Sequence, residues 1–176
     1  MSDSRSFEAC VLPWLDAGYN LARWLLRNET AAEDAVQEAA LRAFRYFASL
    51  RGNDARPWFL GIVRNACFSQ LDASRSRLEE SGFEDAALEE LQHAAGLMAP
   101  DPGQALERAR DGARVDAAIG ALTPALREVI VLRELEGLDY AEIALIVSIP
   151  IGTVMSRLSR GRARLKALLS QAGVED

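Results

Sequence analysis

A chain of 176 residues, 49% of them apolar, can bury one sizeable core or two small ones. Its formal net charge of -6 argues against a protein that coats nucleic acid nonspecifically. Cys10 and Cys67 stand far apart with no C-x-x-C, and His93 is the only histidine, which excludes a zinc or redox constellation and leaves no metal site, cofactor site or catalytic set to nominate.

No basic-then-apolar leader is found at the start, and no apolar run approaches the roughly 18 residues that span a bilayer, so the expected location is cytoplasmic, with no membrane insertion. Apolar residues recur at three and four rather than alternating, which reads as helix throughout. An amphipathic stretch covers Phe7 to Leu26. Thr30 and Glu33 then have the spacing of a capping box, opening a helix whose apolar stripe is Val36, Ala40, Ala43, Phe44 and Phe47 and which stops near Leu50. After the loop Arg51-Gly52-Asn53-Asp54, Pro57 suits the first turn of another helix, with Trp58, Ile62, Val63 and Ala66 inward. These segments make a three-helix unit with reduced, packed cysteines.

Charge is segregated along the chain. Met1 to Leu78 carry nine acids and ten bases, Glu79 to Asp111 nine acids and two bases, and the remainder eight of each. The acidic middle, with its turn signal Ala99-Pro100-Asp101-Pro102-Gly103, reads as a linker with some helical tendency. A second unit starts near Val115. Thr123 and Pro124 are an N-cap and an N1 proline, leading Leu126, Val129, Ile130 and Leu132 to a stop at Gly137. Asp139 and Glu142 form a capping box before Ile143, Ile146 and Val147, and after Ser148-Ile149-Pro150 a last helix runs through Thr153 to about Leu169. A short helix, a tight turn and a longer helix make a helix-turn-helix.

On a 100° wheel, Val154, Leu158, Gly161 and Leu165 share the core side of that last helix. Ser156 and Ala163 lie opposite, flanked by Ser159 and Arg160, with Arg157 and Arg164 on one border and Met155 and Arg162 on the other. Small polar side chains bracketed by arginines fit a major groove, where the middle reads base edges and the borders meet phosphates. Five bases between Arg157 and Lys166 with no acid among them agree with this, although a solvated basic helix would look similar. On the Thr30 helix, Asp34, Gln37, Glu38 and Leu41 form an acidic and apolar outward strip suited to a protein partner; Glu38 can also simply pair with Arg42. On the Pro57 helix, Arg64, Asn65, Phe68, Asp72 and Arg75 share a face beside the loop that holds Asn53, a mixture suited to unstacked single-stranded DNA. Trp58 and Phe68 suit a core position equally well.

Three stretches, TAAEDAVQEAALRAFRYF, ARPWFLGIVRNACFSQL and LTPALREVIVLRELEGLDYAEIALIVSIPIGTVMSRLSRGRARLKALL, together resemble an extracytoplasmic-function sigma factor of the sigma-70 family over nearly the whole chain. The resemblance implies an all-α fold of two small helical domains joined by an acidic linker, the second a helix-turn-helix (winged-helix-like) DNA-binding domain. The expected divisions are 1–78, 79–112 and 113–176. It further implies an alternative sigma factor, not an enzyme, that brings core RNA polymerase to particular promoters and promotes their melting. By the same resemblance Asp34, Gln37, Glu38 and Leu41 dock on the clamp helices of the polymerase β′ subunit, while Asn53, Trp58, Arg64 and Asn65 hold the melted −10 element. Met155, Ser156, Ser159 and Arg160 face −35 base edges, with Thr153, Arg157 and Arg162 toward phosphates. The implied partners are core RNA polymerase (β′ clamp helices and β flap), promoter DNA and an anti-sigma factor. The acidic linker is implied to lie along the active-site cleft and RNA exit path.

Two features depart from the family pattern. Ser148 stands where glycine is common, so a positive φ there would carry about 1 kcal/mol of strain. The tail LDASRSR is less basic than the usual arginine run. A stand-alone helix-turn-helix regulator is the main rival; it would need a dimer interface or sensor domain. An enzyme built on Glu33, Asp34 and Glu38 is poorly supported, because acids in a capped first turn complement the helix dipole.

Overall fold

A computed structural model describes residues 6–52, 54–81 and 104–172 of the chain. Asn53 and most of the acidic stretch therefore lie outside the described residues. Every regular element among the described residues is helical. In order they are α1 (Phe7–Val11), α2 (Leu15–Leu26), α3 (Glu29–Arg45), α4 (Ala55–Ser81), α5 (Gln104–Gly120), α6 (Pro124–Ile130), α7 (Tyr140–Val147) and α8 (Ile151–Ala172). Short 3₁₀ turns occupy Leu12–Trp14 and Phe47–Ser49, and a wide π-type turn, Val131–Leu135, continues α6. No single helix among the described residues is long and apolar enough to cross a membrane.

In the first unit α2, α3 and α4 pack on one another. The N-cap of α3 is Asn28 rather than Thr30: the Asn28 side-chain oxygen accepts from the Ala31 N–H at 2.8 Å, with extended backbone at Asn28. Asparagine is at least as good a cap as threonine, and starting there places Thr30 inside the first turn. The buried stripe of α3 is Ala32, Ala35, Ala39 and Ala43; of the expected inward residues Ala43 is buried and Val36 and Phe47 pack half-buried against the core, while Phe44, 66% exposed, points outward. Small side chains let α3 approach α2 and α4 closely, which rotates the bulkier Phe44 outward, where its edge meets the Phe7 ring at 5.3 Å. Phe59, Leu60, Val63, Ala66 and Cys67 are the buried residues of α4's central turns; Trp58 and Ile62 lie half-buried at their margin.

In the second unit α5 begins at Gln104, well before Val115, within the stretch read as linker. Thr123 occupies the N-cap position of α6 with extended backbone and no side-chain cap bond, and Pro124 follows at N1, the positions expected. The π-type turn then closes at Gly137, whose φ of +67 lets the Leu138 N–H reach back to the Leu132 carbonyl at 3.0 Å. Asp139 and Glu142 cap α7 reciprocally, each contact 2.8 Å. Ser148 ends α7 in the left-handed region at φ 58 and ψ 46, the strained conformation that its position in the turn suggested. Val154, Leu158 and Gly161 turn α8 inward, and a Cβ on Gly161 would stand 2.8 Å from Ile130 Cγ1, so α8 and α6 touch where only a hydrogen fits.

The buried residues of both units form one contiguous cluster. α4 lies along α7, and α2 meets α6. Arg127 of α6 is 8% exposed, and its guanidinium donates to carbonyls of Ile119 at 3.2 Å, Gly120 at 2.6 Å and Leu122 at 2.8 Å. It also reaches across to the carbonyls of Trp24 at 3.3 Å and Leu25 at 3.4 Å. Apart from Leu122, in the turn after α5, these are carbonyls in the last turns of α2 and α5, the negative ends of two helix dipoles, and they offset the burial that lowers the Arg127 pKa to about 10.

Candidate nucleic-acid and partner interfaces

α8 presents its outward face where the wheel places it. Met155 is 53% exposed, and Ser156, Ser159, Arg160, Arg162 and Arg164 are all exposed. The left-handed turn at Ser148 sets this face, since it redirects the chain between α7 and α8 by 100°. Thr153 and Arg157 are half-buried at its margin. The Ser156 hydroxyl donates to the Thr153 carbonyl at 3.0 Å, and Arg160 Nε lies 3.4 Å from the Ser156 carbonyl, both within the helix. Arg162 is engaged by Glu134 of the π-type turn at 2.9 Å and 2.6 Å, which with Tyr140 raises its pKa. That ion pair is exposed, so its strength is small and a phosphate can compete for the same fork.

α3 presents a second surface. Asp34 and Gln37 are exposed, Leu41 is 65% exposed, and Glu38 is partly exposed and paired with Arg42 one turn on. The sequence pattern missed that Phe44 and Tyr46, 56% exposed, extend this strip. An apolar row of this size on an otherwise polar helix marks a protein contact more readily than a DNA contact.

The third group is split. Asn65 is exposed on α4, Trp58 is half-buried with its edge toward Phe47 at 6.5 Å, and Asn53 lies outside the described residues. Arg64 stacks on the Phe68 ring at 4.2 Å and turns into the molecule, where its Nε donates to Glu128 Oε2 at 2.7 Å and its Nη2 lies 3.3 Å from Oε1. Arg157 of α8 donates to the same Glu128 Oε1 at 3.2 Å. Glu128 is fully buried. Burial pushes its carboxyl pKa up, while the Arg64 hydrogen bond and the charges of Arg64 and Arg157 hold it back. Sequence reading passed over Glu128; the available signal was an acid directly before the apolar run Val129-Ile130-Val131-Leu132.

Residues 10–77 match the family model described as Sigma-70 region 2, and residues 112–165 match Sigma-70, region 4. The chain is 32% identical to the ECF RNA polymerase sigma factor SigE of Mycolicibacterium smegmatis, over 97% of this chain and 64% of that protein, just under two thirds of its length. It is 33% identical to the RNA polymerase sigma-H factor of Pseudomonas aeruginosa, over 95% of this chain and 88% of the relative. Among solved structures, the sigma factor RpoE from Bartonella quintana, in complex with the anti-sigma factor NepR, superposes with a TM-score of 0.69 at 29% identity, covering 93% of this chain and 96% of that one. CnrH, in complex with the cytosolic domain of CnrY, gives 0.64 at 26% identity, covering 97% and 91%.

Proposed function

The chain belongs to the extracytoplasmic-function sigma factors of the sigma-70 family, and from that premise we propose that it binds core RNA polymerase, directs it to specific promoters and promotes their melting. The observation that carries the reading is α8: a helix held behind a capped, left-handed turn, with Met155, Ser156, Ser159 and Arg160 outward between arginine borders. Met155, Ser156, Ser159 and Arg160 read −35 base edges, with Thr153, Arg157 and Arg162 toward the backbone. Asn53, Trp58, Arg64 and Asn65 hold the melted −10 strand. Asp34, Gln37, Glu38 and Leu41 dock on the β′ clamp helices, an assignment supported by the apolar exposure around Leu41. The work divides among 1–78 for core and −10 binding, 79–112 as the acidic linker, and 113–176 for −35 binding, with the β flap as a further contact on the polymerase.

The protein acts without catalysis of its own, in the cytoplasm. An anti-sigma factor is its expected regulator, a reading supported by the Bartonella relative having been solved with one. Run-off transcription with purified core polymerase on genomic fragments tests the whole assignment. New start sites that share upstream elements, and that vanish with Arg160→Ala, are the expected result. Tight binding of duplex DNA by the chain alone, without any new transcript, would overturn it in favour of a stand-alone regulator.

A further inference from the structure

Among the described residues, Glu128 is where side chains assigned to two different DNA contacts converge. Arg64 approaches it from α4 and Arg157 from α8, at 2.7 Å and 3.2 Å, and their side chains are 19% and 23% exposed. A guanidinium fork that grips a carboxylate offers the same donors to a phosphate, and it cannot serve both at once. Around this point α4 lies along α7, the first helix of the helix-turn-helix. At Gly61 the backbones come into contact: a Cβ there would stand 3.9 Å from both the Cα and the carbonyl oxygen of Ile146. Polar contacts also cross between the units, beside the apolar cluster that both share: Arg56 donates to the Glu136 carbonyl, Asn20 Nδ2 lies 3.4 Å from Glu136 Oε1, and Arg127 reaches the carbonyls of Trp24 and Leu25.

We propose that Glu128 is an internal latch: its carboxylate, anchored by Arg157 of its own unit, takes the place of DNA for Arg64 and holds the chain in a closed form that must open before the −10 strand can be gripped. The stoichiometry suits a device that opens. Two arginines share one carboxylate, so withdrawal of Arg64 leaves Glu128 still paired with Arg157 and strands no buried charge. The inference rests on the assignment of Arg64 to the melted strand, and it adds that the unbound chain masks this residue from within.

The test uses the full chain and two variants. Glu128→Gln keeps the shape of the latch and removes its charge; Gly61→Leu leaves every charge in place and wedges α4 away from Ile146. Small-angle X-ray scattering reads opening as a larger radius of gyration. Fluorescence anisotropy reads binding to a labelled 30-nucleotide single strand of mixed sequence. Both variants are expected to expand and to bind the strand about tenfold more tightly, the change that follows if about a tenth of the wild-type population is open. Circular dichroism identifies which variants are folded, and should Glu128→Gln unfold, Gly61→Leu carries the test. An unchanged affinity in a folded variant overturns the latch, whatever its radius of gyration. Wild-type run-off transcription is independent of this outcome, so new start sites with an unchanged affinity would reject the latch alone. Tighter binding without any new transcript would reject the sigma reading alone.

Discussion

Two buried polar side chains and one thiol carry most of the chemistry at the scale of single residues. Arg127 satisfies five carbonyls from three segments, which a shorter or single-headed side chain cannot do. Arg127→Met is therefore expected to lower unfolding free energy by about 3 kcal/mol, because carbonyls left unpaired in a buried site cost about 1–3 kcal/mol apiece and relaxation recovers only part. Urea titration followed by circular dichroism measures it, and a loss under 1 kcal/mol would show that water replaces the guanidinium freely. Cys67 is fully buried, and burial pushes its thiol up to about 12. Because the thiolate is the reactive form, native Cys67 should stay unmodified by a thiol reagent between about pH 7 and 9 and react only on unfolding. Labelling followed by mass spectrometry decides this, with the half-buried Cys10 as the internal comparison.

The helix-turn-helix concentrates its constraints in two residues at the scale of elements. Ser148 sits at φ 58 with no glycine to relieve it. Ser148→Gly should raise stability by about 0.5–1 kcal/mol, the relief of left-handed strain less the extra backbone entropy of glycine in the unfolded chain. Gly161 is the opposite case: an added Cβ falls 2.8 Å from Ile130 Cγ1 inside the packed α6–α8 contact. Gly161→Ala gains about 1 kcal/mol of helix propensity but overpacks a buried site at a cost of about 1–3 kcal/mol, so net destabilisation is expected. Thermal melts of the two variants should move in opposite directions. The caps at Thr123 and Asp139 were legible in the sequence because capping is a local matter of a few residues. The cap at Asn28 and the alanine stripe of α3 were not, because Thr30 offers an equally regular local pattern and only packing against α2 and α4 selects the register.

Across the whole molecule, a net charge of -6 coexists with a basic helix that carries five of the twenty bases. Promoter binding by the holoenzyme should therefore be steeply salt-dependent despite the acidic average, since phosphates sense the local field. Replacing the exposed border residue Arg164 by Ala is expected to shallow the slope of log K against log salt by about 0.9, the increment for one phosphate contact. Arg160→Ala should instead cost about 1–3 kcal/mol at a particular base position. Equal effects at every sequence for both variants would remove Arg160 from base reading. The sequence alone determined that the chain is helical, that it contains a helix-turn-helix, and which face of α8 points outward. Those properties follow from periodicity and capping within a few turns of chain. Tertiary structure alone decided that α4 lies on α7, that Arg127 closes the ends of two distant helices, and that Arg64 turns inward to Glu128. Arg64 and Glu128 are 64 positions apart. Nothing in a local pattern shows that an exposed-looking arginine on one helix and an acid beside an apolar run on another will meet, because their pairing is set by how whole helices stack.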